Sequence, residues 1–175
     1  MRMHRAPNFE LLPDDRWQPQ LVEVALHARF MLERVWDDET AYQGITLMPN
    51  DVASRGQCGV SSLWLARYLD RHGATVNFAE GTLHLDGETY GHVWTEARRS
   101  GIGAQVLDLA SDQYQSLNGN RMHIGMYGQH GDSVGLYDNQ TLFHPNAVPR
   151  RRLLARYALL EQKIAKLPRR HRLPE

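Results

Sequence analysis

Residues 54–62 read SRGQCGVSS and contain the only cysteine of the chain, Cys58. A thiol attacks carbon only as the thiolate, so a cysteine that does chemistry needs help in losing its proton. The residues that follow Cys58 read as a helix, and a helix N-terminus offers positive partial charge and free backbone N–H groups. The same N–H groups would face the oxyanion formed on an attacked carbonyl. Gly56 lets the chain turn sharply into such a helix. Gly59 would leave room for substrate beside the sulfur, and Ser61 and Ser62 would keep the first turn open. Free cysteine is also among the most buried residue types. This stretch alone therefore leaves both packing and catalysis open.

Two downstream segments supply partners. GHVWTEA places His92 on a strand, and side chains alternate across a strand, so His92, Trp94 and Glu96 share one face. QVLDLASDQ places Asp108 between Leu107 and Leu109, where a lone carboxylate is costly to bury without a partner. A histidine on the adjacent strand would provide one. Asp108 would then accept one imidazole N–H and set the tautomer, leaving the other nitrogen for the Cys58 thiol. His92 could equally be a satisfied core histidine, and Asp108 a surface residue of an edge strand. Taken together, the three residues meet one geometric demand: a nucleophile needs a base, and the base needs an orienting group. Asp112 is a second candidate for that group, but its Ser-Asp-Gln setting reads as a cap or turn. Glu96 lies too far along the same strand to reach the imidazole and reads as solvent-facing.

The elements that must position these residues follow from local pattern. Residues 1–15 read as a loose N-terminal arm. Gln18 to Trp36 has a broad apolar face at helical spacing. Asp37 to Asp51 reads as a loop with a short strand over Gly44 to Leu47. Cys58 to His72 is apolar around most of its circumference, as befits a central buried helix, and Gly73 suits its C-terminal cap. The period then changes to two. Ala74–Glu80, Thr82–Leu85, Glu88–Tyr90, Gly91–Glu96 and Gln105–Leu109 read as strands, with Asp86-Gly87 as a tight hairpin turn. Ser111 to Val148 reads mostly as loop with a strand or two, and Pro149 to Lys166 as a last helix with proline at its start. Helices, then strands, then a helix argue for an α+β domain with an antiparallel sheet, in which 175 residues form a single domain.

The segments GQCGVSSLWLARYL, YGHVWTEA and VLDLASDQ together resemble the transglutaminase-like core of the papain-like cysteine enzyme superfamily. The order is Cys, His, Asp, with the cysteine opening a helix and the other two on neighbouring strands. Cys58 and His92 are 34 residues apart, and His92 and Asp108 are 16 apart. This compact spacing is similar to the arylamine acetyltransferase and bacterial transglutaminase-like branches. The likeness covers about Ser54 to Gln113, a third of the chain. It implies a papain-like fold with the cysteine helix packed on the sheet. It also implies Cys58 as nucleophile, His92 as general base and acid, and Asp108 as orienting carboxylate. Papain-like sites often hold the oxyanion with a glutamine side chain, for which Gln57 and Gln43 are candidates. Trp94 would wall the site or belong to the core. The expected activity is cysteine-dependent acyl chemistry through a thioester: hydrolysis, deamidation or acyl transfer. The substrate would be a peptide, a glutamine side chain or a small acyl compound.

Charge and composition narrow the partners. Residues 150–175 carry nine Arg or Lys against Glu161 and Glu175, a net +7 that balances −7 over residues 1–149. A basic C-terminal helix of this kind is expected to be a solvated end packed near the acidic body. It also sustains a competing reading, an inactive papain-like scaffold that docks a partner through this helix. Nucleic acid is not an expected partner, because Arg150-Arg151-Arg152 is not interleaved with aromatic residues. His84, His92, His123, His130 and His144 form neither HExxH nor a zinc pattern with paired cysteines, and no phosphate loop occurs, so neither metal nor cofactor is expected. With one cysteine, no secretory leader and no apolar run able to span a bilayer, the expected setting is the cytoplasm, without membrane insertion.

Overall fold

In the computed structural model, residues 19–42, 45–49, 51–85, 87–99, 103–113, 123–126 and 137–173 are described. They form an α+β arrangement of three α-helices and a curled antiparallel sheet. The helices are α1 (Pro19–Leu32), α2 (Cys58–Arg71) and α3 (Arg151–Ala165). The strands are β1 (Val76–Leu85), β2 (Glu88–Arg99), β3 (Gly103–Asp108), β4 (His123–Met126) and β5 (Tyr137–Phe143), in the order β4-β3-β2-β1-β5. Among the described residues, no helix is long and apolar enough to cross a membrane.

Helix α2 is delimited as its glycines require. Gly56 enters it at φ +70°, and Gly73 leaves it at φ +81°. At the exit, the Gly73 N–H bonds Asp70 O at 3.0 Å and the Ala74 N–H bonds Leu69 O at 3.0 Å. This is the paired closure of a Schellman motif, which satisfies carbonyls that the helix leaves free. Val60, Leu63, Trp64, Leu65, Tyr68 and Leu69 are buried, so α2 is the central helix. It is keyed to β2 by polar as well as apolar contacts. Thr95 Oγ1 donates to Ser62 O at 2.9 Å, and Ser62 Oγ donates to Val93 O at 3.2 Å. Helix α3 adds a stripe of Leu153, Tyr157, Leu160 and Ile164 at helical spacing.

The helix-facing side of the sheet carries Val76, Phe78, Val93, Ala97 and Leu107 into the main core. The opposite face carries a smaller cluster of Ala79, Leu83, Trp94, Val106 and Tyr137. Adjacent strands lie about 4.8 Å apart, so β3 and β5 would be roughly 14 Å apart in a flat sheet. The Tyr137 hydroxyl nevertheless reaches Asp108 on β3 at 2.9 Å. The sheet curls around the smaller cluster, and His92 and Asp108 lie on that inner face.

Several local expectations change. The four short strands expected between Ala74 and Glu96 are two long ones that run through Gly81 and Gly91. Gly81 is a point of close approach and not a break. A Cβ there would stand 2.5 Å from Asp138 O and 2.7 Å from Trp94 Cη2, beside the register shift that β1 makes against β5. Residues 45–49 form no strand, because the Leu47 N–H is taken by Asp38 Oδ1 at 2.9 Å. Helix α1 ends at Leu32, short of Trp36, and Pro149 precedes the N-cap of α3, Arg150, so it does not open the helix. The N-terminal arm, 1–15, lies outside the described residues.

Gly81→Ala is expected to destabilise the fold by about 1–3 kcal/mol through overpacking. A lower urea midpoint at unchanged slope checks this; an unchanged midpoint would show that β5 can move away at no cost.

Candidate active site

Asp108 is the last residue of β3. The ladder between β2 and β3 stops at Thr95–Leu107, and one further step sets Asp108 across from Trp94 and diagonal to His92 on the same face. The side chains of His92 and Asp108 are fully buried, and His92 Nε2 lies 2.6 Å from Asp108 Oδ2. A carboxylate here can only accept, so Nε2 carries the proton. Asp108 also accepts from the Tyr137 hydroxyl on Oδ2 and from the Ala110 N–H on Oδ1, at 3.0 Å. Burial opposes the charge, but His92 and these hydrogen bonds outweigh it and hold the carboxyl below its ordinary range.

With Nε2 committed, Nδ1 is left for Cys58, which lines the same cavity as His92 and lies near enough for each group to shift the other's protonation. Because β3 ends at Asp108, the His92 end of β2 has no β3 neighbour, and there Cys58 meets it. Cys58 is the first residue of α2, whose N-cap, Gln57, makes no side-chain cap. Cys58 is half-buried and lines a cavity of about 630 Å³. Burial pushes its pKa up, but the hydrogen bond and charge of His92, with a contribution from Gln113, bring it below the ordinary 9.0 against the repulsion of Asp108. On His92, burial opposes the charge, yet Asp108 first and Cys58 second lift its pKa from 6.5 to about 10. The pair therefore rests as thiolate and imidazolium between the depressed Cys58 pKa and about pH 10. That state holds both an attacking sulfur and a proton for a leaving group.

Other candidates are placed differently. Gln57 is fully buried, and its Nε2 donates to Asp37 O at 2.9 Å. It braces the loop before α2 and cannot serve the oxyanion. Gln43 lies outside the described residues. Trp94 is fully buried against Tyr137, with ring centroids 5.0 Å apart, so it is core under His92 and not cavity wall. Asp112 is not the orienting acid; it forms a bidentate pair with Arg29 of α1, both bonds 2.8 Å. Glu96 is not solvent-facing. It is fully buried and accepts from Arg98 Nε at 2.6 Å. Gly59 lines the cavity beside Cys58 and also lets α3 pack closely, since a Cβ there would stand 3.1 Å from Leu153 Cδ1.

Gln113, Tyr137, Arg29 and Arg156 carry roles that sequence reasoning did not assign. Gln113 Oε1 accepts the Gly56 N–H at 3.2 Å, and its buried Nε2 has no hydrogen-bond acceptor while the amide favours the Cys58 thiolate. A glutamine five places past the end of an aspartate-bearing strand offered a weak signal for this. Tyr137 and Arg156 offered none, since each meets the site only across the fold. Among the described residues, no three His, Cys, Asp or Glu side chains are grouped so as to hold a metal ion. No protein-family model, curated protein or solved structure matches this chain.

The rate of Cys58 alkylation by iodoacetamide should fall as the pH drops through a midpoint below that of an ordinary thiol. His92→Ala should move that midpoint up toward the ordinary thiol value and slow labelling at every pH below it. The imidazolium is expected to persist until about pH 10, and its pairing contributes stability fully present below pH 6.5 and lost as the pH rises through about 10. Two-dimensional NMR of the His92 ring checks the upper value.

Proposed function

We propose that this chain is a cysteine-dependent enzyme of acyl chemistry, papain-like and transglutaminase-like in design. The observation that carries the reading is the buried hydrogen bond from His92 Nε2 to Asp108, which leaves the other ring nitrogen for Cys58, a half-buried residue that lines the same cavity as His92. The Cys58 thiolate attacks the carbonyl carbon of an amide or thioester. The carbonyl π electrons move to oxygen, and the oxyanion is met by first-turn N–H groups of α2 and by Gln113 Nε2, a buried donor with no acceptor of its own. His92 gives its proton to the departing amine or thiol, and a Cys58 thioester remains. Water or an acceptor amine then gives a proton to His92 as it attacks the thioester, and Cys58 leaves as thiolate. Asp108 keeps the ring oriented and stabilises the imidazolium throughout. The acyl donor is a peptide bond, a glutamine side chain or a small acyl compound.

Mass spectrometry after incubation with a panel of peptide, glutamine and thioester substrates should find an acyl adduct on Cys58 that is absent from Cys58→Ala. Labelling of Cys58 only after denaturation would defeat the reading. Asp108→Asn is expected to lower kcat by about 10²–10⁴-fold with little change in KM, because it disturbs tautomer and charge but not substrate contacts. Gln113→Ala should cost about 10–10³-fold in kcat if its amide meets the oxyanion. A loss confined to thermal stability would assign it to the fold alone.

A further inference from the structure

The cavity that Cys58 lines has a cationic side. The start of α3 supplies Arg150, Arg151, Arg152 and Arg156 to it. Arg150 is committed to Glu80, with Nε–Oε1 at 3.0 Å and Nη2–Oε2 at 2.5 Å. Arg151 and Arg152 are exposed. Arg156 is different. It is partly buried, and among the described residues no carboxylate lies within ion-pair distance of it. Its Nε is buried without a hydrogen-bond partner, and Nη1 has only a long contact of 3.5 Å to Thr40 O. Its guanidinium stands 5.4 Å from the Tyr42 ring centroid, and Nη2 lies 3.9 Å from where a Gly59 Cβ would be. The group is thus held over the first turn of α2, next to the nucleophile.

A guanidinium that has lost water and gained no carboxylate is costly to keep. Its planar fork matches the paired oxygens of a carboxylate or phosphate. Glu80, the one acid among the described residues that line the cavity, is neutralised by Arg150. Asp108 and the Cys58 thiolate together carry two negative charges against the single positive charge of His92, and the three positive charges of Arg151, Arg152 and Arg156 exceed what remains of them. Taking Cys58 as the nucleophile proposed above, we infer that the acyl substrate carries an anionic oxygen group, a carboxylate or a phosphate, which Arg156 grips while the carbonyl lies against Cys58. Arg151 and Arg152 draw the anion toward the cavity mouth. The class is acidic peptides or small anionic acyl compounds, and a neutral acyl donor of equal size reacts more slowly.

Two alkylating agents with the same leaving group and opposite demands test this. Iodoacetate carries a carboxylate beside its reactive carbon, and iodoacetamide carries a neutral amide. The ratio of their rates at Cys58 is measured at pH 7 and low salt in the folded full chain and in the urea-unfolded chain. The folded ratio should exceed the unfolded ratio by about threefold or more, the size expected of a partly screened charge nearby. It should fall toward the unfolded value in Arg156→Gln and be largely kept in Arg156→Lys. The exposed double variant Arg151→Gln/Arg152→Gln, which leaves the core untouched, should lower it as well. Protection of Cys58 by inorganic phosphate but not glutarate would identify the phosphate form of the ligand, and the converse the carboxylate form. A ratio unchanged in all variants, or an equal slowing of both reagents in Arg156→Gln, would overturn the inference while leaving the nucleophile reading intact. Failure of iodoacetamide to label the folded protein would overturn both.

Discussion

A carboxylate with no exposed surface is the constraint on which the rest of this structure depends. Buried without partners, Asp108 would take up a proton or unfold its surroundings. It is held ionised by three donors that come from different parts of the chain: His92 on β2, Tyr137 on β5 and the Ala110 N–H just past its own strand. The Tyr137 bond requires the sheet to curl, because a flat sheet would keep β5 and β3 three strands apart. The curl in turn creates the inner pocket that Trp94 fills, and Gly81 yields the space for that ring and for the β5 backbone. One buried charge thereby connects sheet shape, core packing and the orientation of an imidazole.

The second half of the site is positioned by a different element. Helix α2 lies on the helix-facing side of the sheet, tied to β2 through Ser62, and brings Cys58 to the open end of that strand. The loop before it is braced by Gln57 on Asp37, and Gln113 ties Gly56 to the turn after β3. That turn is anchored by the pair between Asp112 and the buried Arg29 of α1, which also donates to Leu109 O. Arg29 also pairs with Glu33 just past α1, at 2.7 Å, so the anchor is a network of two carboxylates about one guanidinium. The polar residues around Cys58, His92 and Asp108 are thus a scaffold of long-range bonds, and Cys58 is placed largely by contacts that its neighbours make.

The basic C-terminal segment acquires a more specific meaning than its charge suggests. Part of it is matched to the acidic body: Arg150 to Glu80, and Lys163 to Asp37 and Glu39. Exposed pairs of this kind contribute little to stability, but they fix the approach of α3. Its apolar stripe then packs on the core, and its first turns reach the cavity. Of the charge that remains unmatched, Arg151, Arg152 and Arg156 line the cavity beside Cys58, while Lys166, Arg169, Arg170 and Arg172 lie away from it at the end of the segment.

Local chemistry was legible in the sequence because it is written in local rules. Gly56 and Gly73 mark the bounds of α2 through the φ values that only glycine tolerates readily. The two-residue period of a strand puts His92 and Trp94 on one face, and a carboxylate among leucines announces a need for a partner. Cys58, His92 and Asp108 were found from these signals, and the structure brings their side chains together. Tyr137, Gln113, Arg29 and Arg156 were not found, because each acts on residues far along the chain and no local pattern encodes the meeting. Glu96 was misjudged for the same reason: alternation places it on the inner face, but only the curl decides that this face is closed to water and that Arg98 must accompany it. The sequence by itself determined which groups could react and how each element presents them. The tertiary structure decided which of them meet and which charges stay paired, because both depend on how the sheet bends and where α3 lies against α2.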